Sequence, residues 1–153
     1  MFAVNSSVPV INALSDLSHP CQILADLMTF KENSVNELEK VCWIGDGNNV
    51  CNSYIEASKI LDFELSIYCP KEYSPDPSFL NYAKENSSFA NSREEAAKGA
   101  DIITTDVWVS MGDEKTKERA FQGYFVDTGL IENTGKESIF LHCLPAHRGC
   151  LLY

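Results

Sequence analysis

The sequence predicts an α/β domain of three layers, built on a parallel sheet of about four to five strands. Two observations carry that expectation. Short apolar runs alternate with longer amphipathic stretches along most of the chain. The strand candidates are also mostly apolar throughout, as strands covered on both faces must be. Strand–helix alternation of this kind gives a Rossmann-like sheet with helices on both faces and right-handed crossovers.

Each element has a local reason. The first strand candidate is 41–45 (VCWIG), which runs into Gly45-Asp46-Gly47. A helix is expected over 49–61, where Val50, Tyr54, Ala57, Ile60 and Leu61 fall at helical spacing. The second strand, 64–69 (ELSIYC), is stopped by Pro70. A helix over 77–86 starts with Pro77, a residue suited to the first turn. Ser88–Ala90 is a short third strand. Ser92 caps a helix over 93–98, Glu95 completes a capping box, and Gly99 ends it. The fourth strand is 101–105 (DIITT), followed by a charged helix over about 113–122. The last strand is 138–142 (SIFLH), stopped by Pro145. A separate helix, about 19–31, precedes the first strand.

Length and composition narrow the function. The 153 residues suit one domain. A chain of this size buries enough surface to fold without a disulfide or a metal. Its net charge of −10, with no basic cluster, argues against nucleic acid. No apolar run approaches the roughly 18–20 residues of a membrane span. Met1–Val10 carries no basic residue ahead of an apolar stretch, so it does not read as a signal peptide. The six cysteines form no CxxC pair and read as reduced thiols of a cytosolic protein.

Ligands of such sheets sit at the carboxyl ends of the strands. That rule selects Gly45–Asn49, Asp106–Gly112 and His142–Arg148. Gly45-Asp46-Gly47-Asn48-Asn49-Val50 is half of a dinucleotide fingerprint, with glycines that let a ligand approach the backbone. Val50 replaces the third glycine, and the second strand ends in Tyr68-Cys69-Pro70 without an acidic residue, which disfavours a nucleotide. Asn48 and Asn49 suit a carboxylate or an amino group; the plainer alternative is a helix cap. His19 and Gln22 lie at a helix start, where a phosphate or polarised carbonyl is favoured and both side chains can bond one oxygen. His19 can equally be a cap. Asp106 can hold an ammonium group, and Trp108 and Met111 belong either to a lid or to the core. Cys143, beside His142, has a route to thiolate character. His19, His142, Cys143 and His147 lack paired ligand spacing, so no metal is expected.

Four segments in order, VPVINALSDLSHPCQ, WIGDGNN, DVWVSMG and HCLPAHRG, resemble the ornithine carbamoyltransferases of the aspartate/ornithine carbamoyltransferase superfamily. The resemblance runs from about Val8 to Gly149. It implies transfer of a carbamoyl group from carbamoyl phosphate to the δ-amine of L-ornithine, giving L-citrulline and phosphate, with no cofactor. His19 and Gln22 then contact carbamoyl phosphate at its carbonyl end, and both they and Cys143 are the implied catalytic residues. Asn49, Asp106, Ser110 and Met111 contact ornithine, Asp106 at an ammonium. Cys143 lies near the attacking amine, and Leu144 offers a backbone carbonyl to the carbamoyl amide. The resemblance also implies a cytoplasmic setting and a trimer when the missing domain is present, the chain alone being monomeric or associating through the surface that domain would cover. No S-x-R-T phosphate element occurs, and Arg93, Arg119 and Arg148 are the only arginines. The expectation is therefore an ornithine-binding domain over 1–153, without the carbamoyl-phosphate domain or the closing C-terminal helix, and inactive alone. The alternatives are a non-catalytic amino-acid-binding module and an inert fragment.

Overall fold

The computed structural model describes residues 3–108, 117–144 and 146. Five strands, β1 Lys40–Ile44, β2 Glu64–Tyr68, β3 Ser87–Phe89, β4 Ile102–Thr105 and β5 Ile139–His142, form one parallel sheet in the order β3-β2-β1-β4-β5. Helices α1 Pro20–Asn33, α2 Asn49–Leu61, α3 Pro77–Tyr82, α4 Arg93–Ala97, α5 Lys117–Ala120 and α6 Thr128–Glu132 accompany it.

The two-residue period of the strands builds two cores. Val41 and Trp43 of β1 point to the side of α1 and α2, where they pack with Ile23, Phe30, Tyr54 and Ile55. Cys42 and Ile44 point to the other side, against Ala96, Ala97, Val126 and Leu130. A central strand buried on both faces must be apolar at every position, which is why VCWI shows no alternation.

The sequence places every strand to within a residue or so. The helix expected over 77–86 stops at Tyr82 instead. The chain turns there because β3 must reach its register beside β2, with Leu65 opposite Ser87. The capping box forms only by half. Ser92 accepts the Glu95 N–H at 3.1 Å, but the Glu95 carboxylate reaches past Ser92 to the Asn91 N–H at 2.8 Å. Of the charged helix expected over 113–122, only Lys117–Ala120 is described as helix, and 113–116 lie outside the described residues. Helix α6 has no strong pattern in the sequence: it is five residues long and carries Gly129. Asp127 starts it by accepting the Leu130 N–H at 2.7 Å.

Candidate active site

The strand order reverses beside β1, with β2 and β3 on one side and β4 and β5 on the other. The loops leaving β1 and β4 diverge there, and the crevice between them is where such sheets bind ligands.

The β1–α2 turn serves mainly the chain's own packing. Gly45 adopts φ +132°, a conformation that favours glycine. A Cβ on Gly47 would lie 2.2 Å from the Pro75 nitrogen and 2.5 Å from the Tyr73 carbonyl oxygen. The Gly47 N–H donates to that carbonyl at 2.8 Å. The loop after β2 thus fills the space that Gly47 leaves, correcting the expectation that this glycine admits a ligand. The nucleotide alternative loses its phosphate seat for the same reason.

Asn48 is the helix cap that the plainer reading expected. Its Oδ1 accepts the Val50 and Cys51 N–H groups at 3.0 and 3.2 Å. Its Nδ2 reaches across to β4 and donates to Asp106 Oδ2 at 2.7 Å. Asn49 donates to the Ser15 carbonyl at 2.7 Å, Asn52 to the Leu17 carbonyl at 3.1 Å, and Ser53 Oγ accepts the His19 N–H at 2.7 Å. One polar face of α2 therefore pins residues 15–19 and positions His19. The sequence reading missed Asn52 and Ser53; their three- and four-residue spacing from Asn49 was the available signal.

Asp106 is 7% exposed and accepts three hydrogen bonds. The donors are Asn48 Nδ2, the Val107 N–H at 2.7 Å and the Cys143 thiol. All three are neutral. Burial, and then the Asp106 carboxylate, push the Cys143 thiol far above its ordinary range. This corrects the expectation of thiolate character: the side-chain partner of Cys143 is a carboxylate, and His142 Nδ1 meets the Cys143 carbonyl rather than the sulfur. Asp106, His142 and Cys143 do offer ligand atoms within 4.8 Å of one another. That set arises because β4 and β5 are neighbours and is not visible as a spacing. In the structure its thiol and carboxylate bond each other.

His19 is the residue before α1, but its side chain makes no cap hydrogen bond. Its Nδ1 is buried and has no partner among the described residues. Gln22 Nε2 donates to Asp26 Oδ1 at 2.9 Å, and the buried Tyr54 hydroxyl donates to Asp26 Oδ2 at 2.7 Å. Burial raises the Asp26 carboxyl against the lowering effect of these two donors. Burial and the neighbouring Asp26 push the Tyr54 phenol well up. Asp26 escaped the sequence reading although it stands four residues past Gln22, one helical turn away.

Of the remaining candidates, Leu144 has an 88% exposed side chain. Trp108 packs on Phe121 with ring centroids 6.2 Å apart, which favours the core reading over the lid. Ser110 and Met111 lie outside the described residues. The structure thus joins Asn48, Asp106 and Cys143 in one network. It holds His19, Asn49 and Gln22 in a second set of bonds between α1, α2 and residues 15–19.

The family model for the Asp/Orn binding domain of aspartate/ornithine carbamoyltransferase matches residues 38–150. The model for the carbamoyl-P binding domain of the same family matches residues 1–32. The division falls where α1 ends and β1 has yet to begin. The ornithine carbamoyltransferase of Halorhodospira halophila is 49% identical over 97% of the chain and 51% of its own length. That of Acinetobacter baylyi is 50% identical over 97% of the chain and 50% of its own length. The anabolic ornithine carbamoyltransferase structure from Campylobacter jejuni superposes with a TM-score of 0.90 at 40% identity, covering 99% of this chain and 54% of that one. The chain therefore spans about half the length of the curated relatives it matches, and it belongs to the aspartate/ornithine carbamoyltransferase family.

Proposed function

We propose that these residues form the ornithine side of an ornithine carbamoyltransferase site. The observation that carries this reading is Asp106. It is a buried carboxylate at the switch-point crevice with three neutral donors, and no cation contacts it among the described residues. Burying a carboxylate without a countercharge is costly, so the site favours a ligand that brings an ammonium group. The ornithine ammonium replaces the Cys143 thiol on Asp106 Oδ1 and frees the sulfur to face the δ-amine. Ser110, Met111 and Asn49 complete the amino-acid contacts.

The chemistry asks for a neutral δ-amine, so the δ-ammonium gives one proton to solvent water before attack. Its nitrogen bonds to the carbonyl carbon of carbamoyl phosphate, the bond from that carbon to the phosphate oxygen breaks, and phosphate leaves with the bond's electron pair and one proton from the attacking nitrogen. His19 and Gln22 meet the carbamoyl group near the α1 terminus, and the Leu144 carbonyl meets its amide. Positioning and stabilisation of the tetrahedral centre dominate, with no covalent intermediate. The reading extends to a cytoplasmic trimer that needs groups beyond this chain to hold the phosphate. Free Cys21, Cys42, Cys51, Cys69 and Cys143 agree with a reducing setting. No helix of the described residues is long and apolar enough to cross a membrane.

Calorimetric titration of the 153-residue chain with L-ornithine tests the proposal. Saturable heat is expected, and Asp106→Asn should abolish most of it. Absence of heat in the unaltered chain would reject an ornithine site. Citrulline is expected only when a polypeptide carrying the carbamoyl-phosphate domain is added; turnover by the chain alone would contradict the need for outside groups.

A further inference from the structure

The Gln22 amide can present either of two faces to a ligand, its carbonyl oxygen or its NH2 group. A carbamoyl group also carries both a C=O acceptor and an NH2 donor. Which face Gln22 presents therefore decides which end of the carbamoyl group it recognises. A free side chain would flip between the two.

Gln22 is not free. One N–H of its Nε2 donates to Asp26 Oδ1 at 2.9 Å. Asp26 lies one turn further along α1 and is itself fixed, because the wholly buried Tyr54 of α2 donates to its other oxygen at 2.7 Å. Both Asp26 oxygens act as acceptors, Oδ1 from Gln22 and Oδ2 from Tyr54, so the carboxyl holds the amide through its nitrogen. The planar amide then turns Oε1 away from Asp26, and this oxygen has no partner among the described residues.

We infer that Asp26, braced by Tyr54, is a positioning residue that locks the Gln22 amide with its oxygen outward. Gln22 thereby becomes an acceptor for the NH2 of an acyl phosphate that carries one. This rests on the carbamoyl-transfer reading and adds a selection step to it: an acyl phosphate with a methyl group in place of the NH2 leaves Oε1 unpaired and is rejected. The sequence reading had Gln22 share one oxygen with His19. The lock points its oxygen to the nitrogen end of the ligand instead.

The chain contains two glutamines, Gln22 and Gln122. Labelling the glutamine side-chain nitrogen with 15N therefore gives two NH2 signals, and the exposed Gln122 is an internal reference. Gln22 should exchange its amide protons with water at least about ten-fold more slowly than Gln122. Asp26→Asn, which still offers an acceptor, should keep that protection. The double variant Asp26→Leu with Tyr54→Phe removes both polar partners together and keeps an apolar fit. It should bring Gln22 to the Gln122 rate, and Asp26→Ala is the second variant should the double one not fold.

Stable analogues, added together with a polypeptide carrying the carbamoyl-phosphate domain, then read the selection. Phosphonoacetamide should shift the Gln22 signals, and phosphonoacetone, its methyl counterpart, should not. The double variant should lose that difference while binding ornithine as before. Equal exchange of the two glutamines, or a slow Gln22 in both the double and the Ala variants, overturns the lock. Equal response to the two analogues, or response to neither, overturns the acceptor role. Failure of ornithine to bind would count against the ornithine site alone, since the exchange measurement needs no ligand.

Discussion

Two buried aspartates stand five residues apart at opposite ends of β4, and they live in different chemistry. Asp101, 2% exposed, precedes the strand. Its Oδ2 accepts the Glu39 and Lys40 N–H groups at 2.9 and 2.8 Å, and its Oδ1 meets Lys136 Nζ at 2.6 Å. It ties the starts of β1 and β4 together, and its charge is neutralised within the chain. Asp106 follows the strand. Its donors are a side-chain amide, the N–H of the next residue and a thiol, and none carries charge. Asp101 is thus complete, whereas Asp106 is hydrogen-bonded but lacks a countercharge among the described residues. The difference separates a carboxylate that holds the fold from one suited to a cationic ligand.

Substitutions should widen or erase this contrast. Asp101→Ala leaves two buried N–H groups and Lys136 without their acceptor. It should cost about 3 kcal/mol in urea unfolding. Asp106→Asn should change stability by less than about 1 kcal/mol, while weakening ornithine binding by about 2 kcal/mol, roughly thirty-fold by calorimetry. If both variants lose stability and binding in parallel, the contrast is wrong. Gly47→Ala drives a Cβ against the Tyr73–Pro75 backbone and should cost about 1–3 kcal/mol of stability. A tolerated Gly47→Ala would mean the turn is open to a ligand after all.

Smaller effects sharpen the picture around Cys143 and Asp26. The protonated Cys143 thiol should be alkylated at least about ten-fold more slowly than exposed Cys21 near neutral pH, as read by peptide mass spectrometry. Rapid alkylation would restore the thiolate. Asp26 is a third case, a buried carboxyl with two neutral donors and a raised pKa. The folded state binds its proton more tightly than the unfolded state does. Its contribution is therefore full at pH below the unfolded pKa and declines as pH rises through the folded one. The stability of Asp26→Asn relative to the parent should accordingly rise as pH increases from the ordinary aspartate range through the folded-state value. A relative stability that falls over that range would reverse the sign of the shift.

Much of the fold is local information. Apolar runs, Pro70 and Pro77, the Asn48 and Ser92 caps and Gly99 each act on a neighbouring turn of chain, so element order could be read in sequence. The expected end of α3 was wrong because tertiary strand pairing, not helix propensity, decides where it stops. Helix α6 was missed because a five-residue helix containing glycine has almost no periodicity to see. The position of the site at the strand ends was legible as well, since it follows from the fold class.

The partners of the buried groups were not legible. Asp101 and Asp106 are the same residue type flanking the same strand; the strand-end rule singles out Asp106, but nothing adjacent to either in sequence shows which groups it meets. Asp101 draws its donors from 62 and 61 residues away. Asp106 takes Asn48 from 58 residues away and Cys143 from 37. Those meetings depend on β1 and β5 lying on either side of β4. The protonation of Cys143 follows from the same adjacency. The outward oxygen of Gln22 depends on α2 bringing Tyr54 to Asp26. Local pattern fixes which elements form because helix and strand propensities act between near neighbours. The charge state and donor set of a buried side chain are fixed only when packing removes water and leaves the groups that folding places beside it.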